Sequence, residues 1–353
     1  AAGGLRLGTL ARLGLGNILP IDGVPPPEDP EASWGRMTEL SPGKDSTTGH
    51  WELMGCPLTE PFPTYPGGFP REIMERFKAE TGVEVLGNRP ASGTAIIEEL
   101  GEEHIRTGRP IVYTSADSVF QIAAHEEVIP VRELYRLSWV ARRILAPPHH
   151  VARVIARPFT GTPGHFTRTK RRRDFSLPPP GRTLLDALSQ EGLEVVTVGK
   201  IHDLFASRGI TKIVKAGGND AAMRAAVRVL GGASGSAFLF INLIDFDMLW
   251  GHRRDTAGYA RGLERFDAWL ERFMAHLVPG TLLAITSDHG CDPTMPGSDH
   301  TREYVPVLAT ITGVRRASDL GTRATFGDLG ATIAEFLGVE LDGGSSFLDS
   351  LER

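Results

Sequence analysis

Residues 282–304 read LLAITSDHGCDPTMPGSDHTREY. Leu282–Ile285 is an apolar run of strand length, and polar residues begin where it stops. Asp288 and His289 follow at once, and His300 returns beyond a loop tightened by Pro293, Pro296 and Gly297. Carboxylate and imidazole together suit a divalent cation such as Mn2+ or Zn2+, and a loop off a strand end can carry both histidines to one centre. Any one of these residues alone reads equally well as part of a polar surface loop.

A second apolar run, Ala237–Ile244, ends in DFDMLWGHRRD, residues 245–255. Asp247 and His252 stand just past it, where open parallel sheets place their ligands. Asp245 is either a third ligand or a partner that orients a ligating histidine. Around the two runs the pattern is regular α/β. Helices are expected at Thr183–Gln190, Asp220–Leu230, Gly258–Leu277 and Phe326–Leu337. Strands are expected at Glu194–Val198, which ends in Gly199-Lys200, and at Val305–Ala309.

Toward the amino end lies SPGKDSTTGHWELMG, residues 41–55. The spacing of a phosphate loop, G-x-x-x-x-G-K-[ST], is absent. What remains is Ser46, Thr47 and Thr48 after Asp45, ahead of a helical run that starts near His50. Hydroxyls in that place are ordinary helix caps, and they also sit beside free backbone N–H groups that favour a phosphate. The first residues, Ala1–Gly16, space Leu5, Leu10 and Leu13 as one helix stopped by glycine, and Pro20–Glu31 reads as a loop.

Proline-rich segments at 61–68 and 178–181 mark two crossings between domains. The expected division is therefore a core of residues 1–61 and 179–353 with residues 62–178 inserted. Within the insert, helices are expected at Pro70–Thr81, Thr94–Gly101, Ser118–Glu127 and Leu134–Leu145. Strands are expected at Val83–Leu86, Val151–Arg157 and Pro110–Thr114, the last running into Asp117. The basic run FTRTKRRRDF, residues 166–175, is a solvated loop or a grip on a phosphorylated small molecule. With few aromatics in it and no basic domain around it, nucleic acid is a poor partner.

The bulk composition agrees with an enzyme of this size. The 353 residues are 41% hydrophobic and 23% charged, with a net charge of -5 that gives no case for nucleic acid or membrane binding. No apolar run approaches the roughly 20 residues that span a bilayer. Cys56 and Cys291 show no metal-binding spacing, which points to a reduced, cytoplasmic setting. A hydroxyl cluster, an Asp/His pair and an Asp-His…His set converge on one chemistry. Two divalent cations about 4 Å apart can activate a hydroxyl and clamp a phosphoryl group in transfer.

GKDSTTGHWELMG, YTSADS, RVIARPF, DFDMLWGHRRD and TSDHGCDPTMPGSDHTREYVPVL together resemble the phosphopentomutases of the alkaline phosphatase superfamily, along essentially the whole chain. The resemblance implies an α/β fold: an alkaline phosphatase-like three-layer core with an inserted α/β cap. It implies a two-Mn2+ enzyme that interconverts ribose or 2-deoxyribose 1-phosphate and 5-phosphate, with a pentose or glucose bisphosphate as activator. By position, one metal falls to Asp247, His252 and His300, and the other to Asp288, His289 and the nucleophile Ser46. Thr47 and Thr48 are alternatives for the nucleophile, which is threonine in the members most alike. Asp117, Arg153, Arg168 and Lys200 would contact the sugar phosphate. Family members also begin with a strand whose Asp completes the nucleophile's metal site, and these residues start beyond it. Asp22, in a proline-rich loop, is no substitute. A phosphoglycerate mutase or phosphohydrolase of the same superfamily is the rival enzyme, and a non-catalytic sugar-phosphate binder the rival of another class.

Overall fold

A computed structural model describes residues 4–115, 118–232, 235–297 and 299–352. The chain forms two compact units, Ala1–Glu60 with Pro179–Arg353, and Pro61–Pro178.

The first unit opens with helices α1 (Gly8–Arg12) and α2 (Leu15–Ile18), strand β1 (Ser33–Met37) and helix α3 (Ser46–Leu53). The single helix expected before Gly16 is thus broken in two. Gly14, at a φ of 96°, takes the left-handed conformation between the halves. The second unit holds α4 (Arg71–Thr81), β2 (Leu86–Pro90), α5 (Gly93–Thr107), β3 (Ile111–Thr114), β4 (Val119–His125), α6 (Val131–Ile144), β5 (Arg153–Thr160), β6 (Thr167–Arg168) and β7 (Arg173–Ser176). The chain then returns to the first unit. It adds α7 (Leu184–Gln190), β8 (Glu194–Val198), α8 (Ile201–Leu204), β9 (Lys212–Val214), α9 (Asn219–Leu230) and β10 (Ala237–Ile241). A π-helical turn, Phe246–Gly251, precedes α10 (Thr256–Met274) and β11 (Leu282–Thr286). Last come β12 (Val305–Ile311), β13 (Asp319–Arg323), α11 (Gly327–Phe336) and α12 (Asp349–Glu352).

In the second unit the strands run β2-β3-β4-β5-β6, with β7 also on β5. Helices α4 and α6 cover one sheet face, packing Phe77, Leu134 and Leu137 on Val112, Phe120, Ile122 and Val154. Helix α5 covers the other, packing Ile96 and Ile97 on Ile111, Tyr113, Ala123 and Phe159. This double cover explains a correction. Residues 118–127, expected as a helix, hold strand β4, and Val119 to His125 are all buried. A strand covered on both faces loses its polar alternation, so its apolar run looks like a buried helix.

The first unit contains two sheets, β11-β12-β1-β13 and β10-β8-β9. Leu7, Leu10 and Leu13 of the opening segment join Leu270 of α10 and Leu308 of β12 in one core. Ala222 and Ala225 of α9 pack on Val198 of β8. Strands β10 and β11 are the end strands of their sheets, and both line one cavity of about 630 Å³. Every residue of these two strands is only half-buried, although all are apolar except Thr286.

Glu52 ties the site to the rest of the core. Its carboxylate, fully buried, accepts from the backbone N–H of Leu40, Ser41 and Phe326 and from the hydroxyls of Ser41 and Thr325. A buried carboxylate is tolerated only when so satisfied, and here it pins the loop before α3 to the start of α11.

Candidate metal centre

Asp45 caps helix α3. Its Oδ1 accepts from the backbone N–H of Thr47 at 3.0 Å and of Thr48 at 3.2 Å, and the Thr48 hydroxyl donates to its Oδ2 at 2.5 Å. The hydroxyls were expected to cap; a carboxylate does so instead. Thr47 and Thr48 are buried, while Ser46, at the first position of the helix, keeps its hydroxyl for other use. Its Oγ lies 3.2 Å from Nε2 of His289.

His289 follows the end of β11, where its Nδ1 donates to the Gly290 carbonyl at 2.9 Å. That bond places a proton on Nδ1 and turns Nε2 toward Ser46. His50 sits one helical turn after Ser46, on the same face. Its Nδ1 lies 2.8 Å from the Ser46 carbonyl oxygen and 3.0 Å from Asp288 Oδ2. Asp247, in the π-helical turn, receives His252 Nε2 at 3.1 Å and His300 Nε2 at 3.0 Å on one oxygen. The His300 ring stacks on those of His252 and His289, with centroids 4.8 Å and 3.9 Å apart.

All five candidate ligands and Ser46 therefore meet in one cluster. Donor atoms of Asp247, His289 and His300 lie within 4.8 Å of one another, a set of hard and borderline donors that fits a divalent cation. This trio crosses the division expected from sequence, which put His289 with Asp288 and Ser46. Burial would raise the Asp288 carboxyl, but the imidazoles of His289 and His50 outweigh it and hold Asp288 below the usual carboxylate range. Burial works against Asp247 too, and the hydrogen bond from His300 and the charges of His300, His252 and His289 overcome it. Both side chains are thus carboxylates, ready as ligands, at neutral pH. Cys291 is not. Burial, aided by Asp247, Asp288 and Asp292, pushes its thiol up to about 11.

The loop from Asp288 to Arg302 is laced to the loop before α3. Lys44 Nζ donates to the His300 carbonyl at 2.7 Å and pairs with Asp299 at 2.7 Å. The Arg302 guanidinium donates to the carbonyls of Gly43, Glu39 and Ser41 at 2.8, 2.7 and 2.8 Å. A bridge between Gly290 and Thr301 closes the loop's base. Sequence reading missed Arg302, His50 and Gly49. A glycine inside a helix signals close approach of another backbone, and a Cβ on Gly49 would collide with the Asp288 carbonyl oxygen.

The other expected residues lie as follows. Asp245 exchanges hydrogen bonds with Asn219, accepting from its N–H at 2.8 Å, and so brackets the start of α9. Lys200 lines the same cavity as Ser46, His50, Asp247, Asp288 and His289. Arg153 and Arg168 belong to the second unit, on β5 and β6. Asp117 lies outside the described residues.

The sequence model of the Metalloenzyme superfamily matches residues 33–341. A phosphopentomutase of Caldanaerobacter subterraneus subsp. tengcongensis is 55% identical, covering 99% of this chain and 88% of the relative. One of Anaeromyxobacter sp. (strain K) is 56% identical, covering 100% and 90%. The chain belongs to the phosphopentomutase family. Its α/β fold is that of the superfamily's metalloenzymes, and dependence on a divalent metal goes with membership. Among the described residues no helix is long and apolar enough to cross a membrane.

Alanine in place of Gly49 tests the close approach. Helix propensity alone favours alanine by about 1 kcal/mol. The collision with the Asp288 carbonyl should reverse that sign, costing about 1–3 kcal/mol of stability and weakening Mn2+ binding at least about tenfold. Gly49→Ala with unchanged unfolding midpoint and Mn2+ affinity would contradict the packing described.

Proposed function

We propose that this phosphopentomutase works through Ser46. The enzyme interconverts the 1-phosphate and 5-phosphate of ribose or 2-deoxyribose, and a phosphoryl group carried on Ser46 is handed to the sugar's free hydroxyl. The resulting bisphosphate returns its other phosphate to Ser46. The observation that carries this reading is the Ser46 hydroxyl, 3.2 Å from His289 Nε2 in a cluster of two carboxylates and several imidazoles. Of the neighbouring hydroxyls, Thr48 is spent on Asp45, and Thr47 is buried.

Two divalent cations, Mn2+ in this reading, would be held by Asp247, His252, Asp288, His289 and His300; they supply charge that offsets the phosphoryl oxygens and the attacking hydroxyl. Other parts belong to the chain alone. Asp45 occupies two of the free N–H groups of α3, so the helix end offers less to a phosphate than its position suggested. Lys200, on the wall of the same cavity, offers the phosphate a positive charge in this proposal. Asp117, Arg153 and Arg168 hold the sugar phosphate in this proposal, and a bisphosphate primes Ser46. The cytoplasmic setting is part of the same reading.

Ser46→Ala should lower turnover of ribose 5-phosphate at least about 1000-fold with Mn2+ binding changed far less. Turnover within threefold of wild type would take Ser46 out of the role. Preference for 3-phosphoglycerate over ribose 5-phosphate would favour the mutase of the other substrate class.

A further inference from the structure

Three consecutive residues of α3 each reach a different part of the first unit. The Trp51 indole N–H donates to the Leu204 carbonyl, at the end of α8, at 2.9 Å. The Glu52 carboxylate binds the loop before α3 and the start of α11. His50, only 2% exposed, turns to the Asp288 loop. Successive helical residues point about 100° apart, so these three grips hold α3 from three sides. Of the three, His50 shares the face of Ser46, four residues earlier.

The surroundings of the His50 ring decide where its hydrogen sits. Nδ1 lies 2.8 Å from the Ser46 carbonyl oxygen and 3.0 Å from Asp288 Oδ2. Neither oxygen can donate, one being a carbonyl and the other part of a carboxylate. Nδ1 therefore carries the hydrogen and shares it between them. On its other side the ring packs against Phe240 of β10, with centroids 5.5 Å apart. The Asp288 backbone presses on Gly49 of the same helix, where a Cβ would collide with its carbonyl oxygen. The ring cannot swing away from Asp288 without opening that packing. The Asp288 oxygen it holds also lies 3.6 Å from His289 Nε2. A carboxylate with one oxygen held presents the other in a fixed direction.

We propose that His50 is a positioning residue: one Nδ1–H, shared by the Ser46 carbonyl and Asp288 Oδ2, sets a metal-ligating carboxylate against the helical turn that carries the nucleophile. Nucleophile and ligand then move as one. Phosphoryl transfer needs this, because a misplacement of about 1 Å is worth about 100-fold in rate. His50 touches no reacting atom and moves no proton in this account. Its task asks only for an N–H donor at the place of Nδ1. Asparagine has one at the same number of bonds from Cα, glutamine carries its amide one bond further out, and phenylalanine keeps a ring on Phe240 without a donor. The kinetic part of the inference rests on Ser46 as the phosphate carrier; the metal-binding part does not.

Titration of the full chain with Mn2+, with unfolding midpoints measured alongside, compares His50→Phe, His50→Asn and His50→Gln. His50→Phe should bind Mn2+ about 10–100-fold more weakly than wild type, and His50→Asn should stay within about threefold of it. At saturating Mn2+, kcat for ribose 5-phosphate should fall in the same order while KM stays within about threefold. Equal Mn2+ affinity in wild type and His50→Phe overturns the proposal. So does a folded His50→Asn that binds as weakly as His50→Phe, because ring shape rather than the N–H would then matter. If His50→Phe does not fold, the two amides decide: tighter Mn2+ binding by His50→Asn than by His50→Gln supports the proposal, and an equal or reversed order overturns it. The predicted order of affinities with turnover intact in Ser46→Ala would leave His50 standing and sink the Ser46 reading. Turnover lost in Ser46→Ala with His50→Phe unchanged would do the reverse.

Discussion

The backbone of α3 meets the backbone of the Asp288 loop at Gly49, with no room for a side chain between them. Through that contact a helix carrying a hydroxyl and a strand end carrying a carboxylate become one object. Ser46, His50 and Asp288 then fall within hydrogen-bonding reach, although they come from opposite ends of the first unit's sequence. Lys44 and Arg302 hold the same two loops together by donating to backbone carbonyls, and Glu52 anchors the base of α3 to α11. Donors that use carbonyls rather than side-chain partners resist substitution along the loop, because every residue supplies a carbonyl.

The electrostatics follow from this packing. Two carboxylates, partly buried, would be costly alone; four imidazoles drawn around them reverse the balance and keep both ionised. Two of these rings, His289 and His300, bring a nitrogen each within 4.8 Å of the other and of an Asp247 oxygen, as a cation requires.

Much of the first unit was legible because its signals are local. Strand β8 has the expected bounds, and the apolar runs of β10 and β11 lead directly into their polar ends. The donor residues could be named for the same reason. Their grouping could not: Asp247, His289 and His300 come together through stacking of rings across loops, which spacing along the chain does not encode. Strand β1, with Gly35 and Arg36 between Trp34 and Met37, has too weak an alternation to be seen. It exists because β12 and β13 flank it. Strand β4 failed for the opposite reason, having no polar face at all. Arg302 was invisible because its targets are carbonyls.

The account stands on Ser46 as the group that carries phosphate. The most direct test loads the protein with Mn2+, exposes it briefly to a pentose bisphosphate, quenches it, and maps phosphate on the peptides by mass spectrometry. The account predicts one phosphate, on Ser46, and none in that peptide when Ser46→Ala is treated alike. Phosphate on Thr47 or Thr48, or ribose 5-phosphate conversion with no phosphorylated residue in the stretch 45–55, would contradict it.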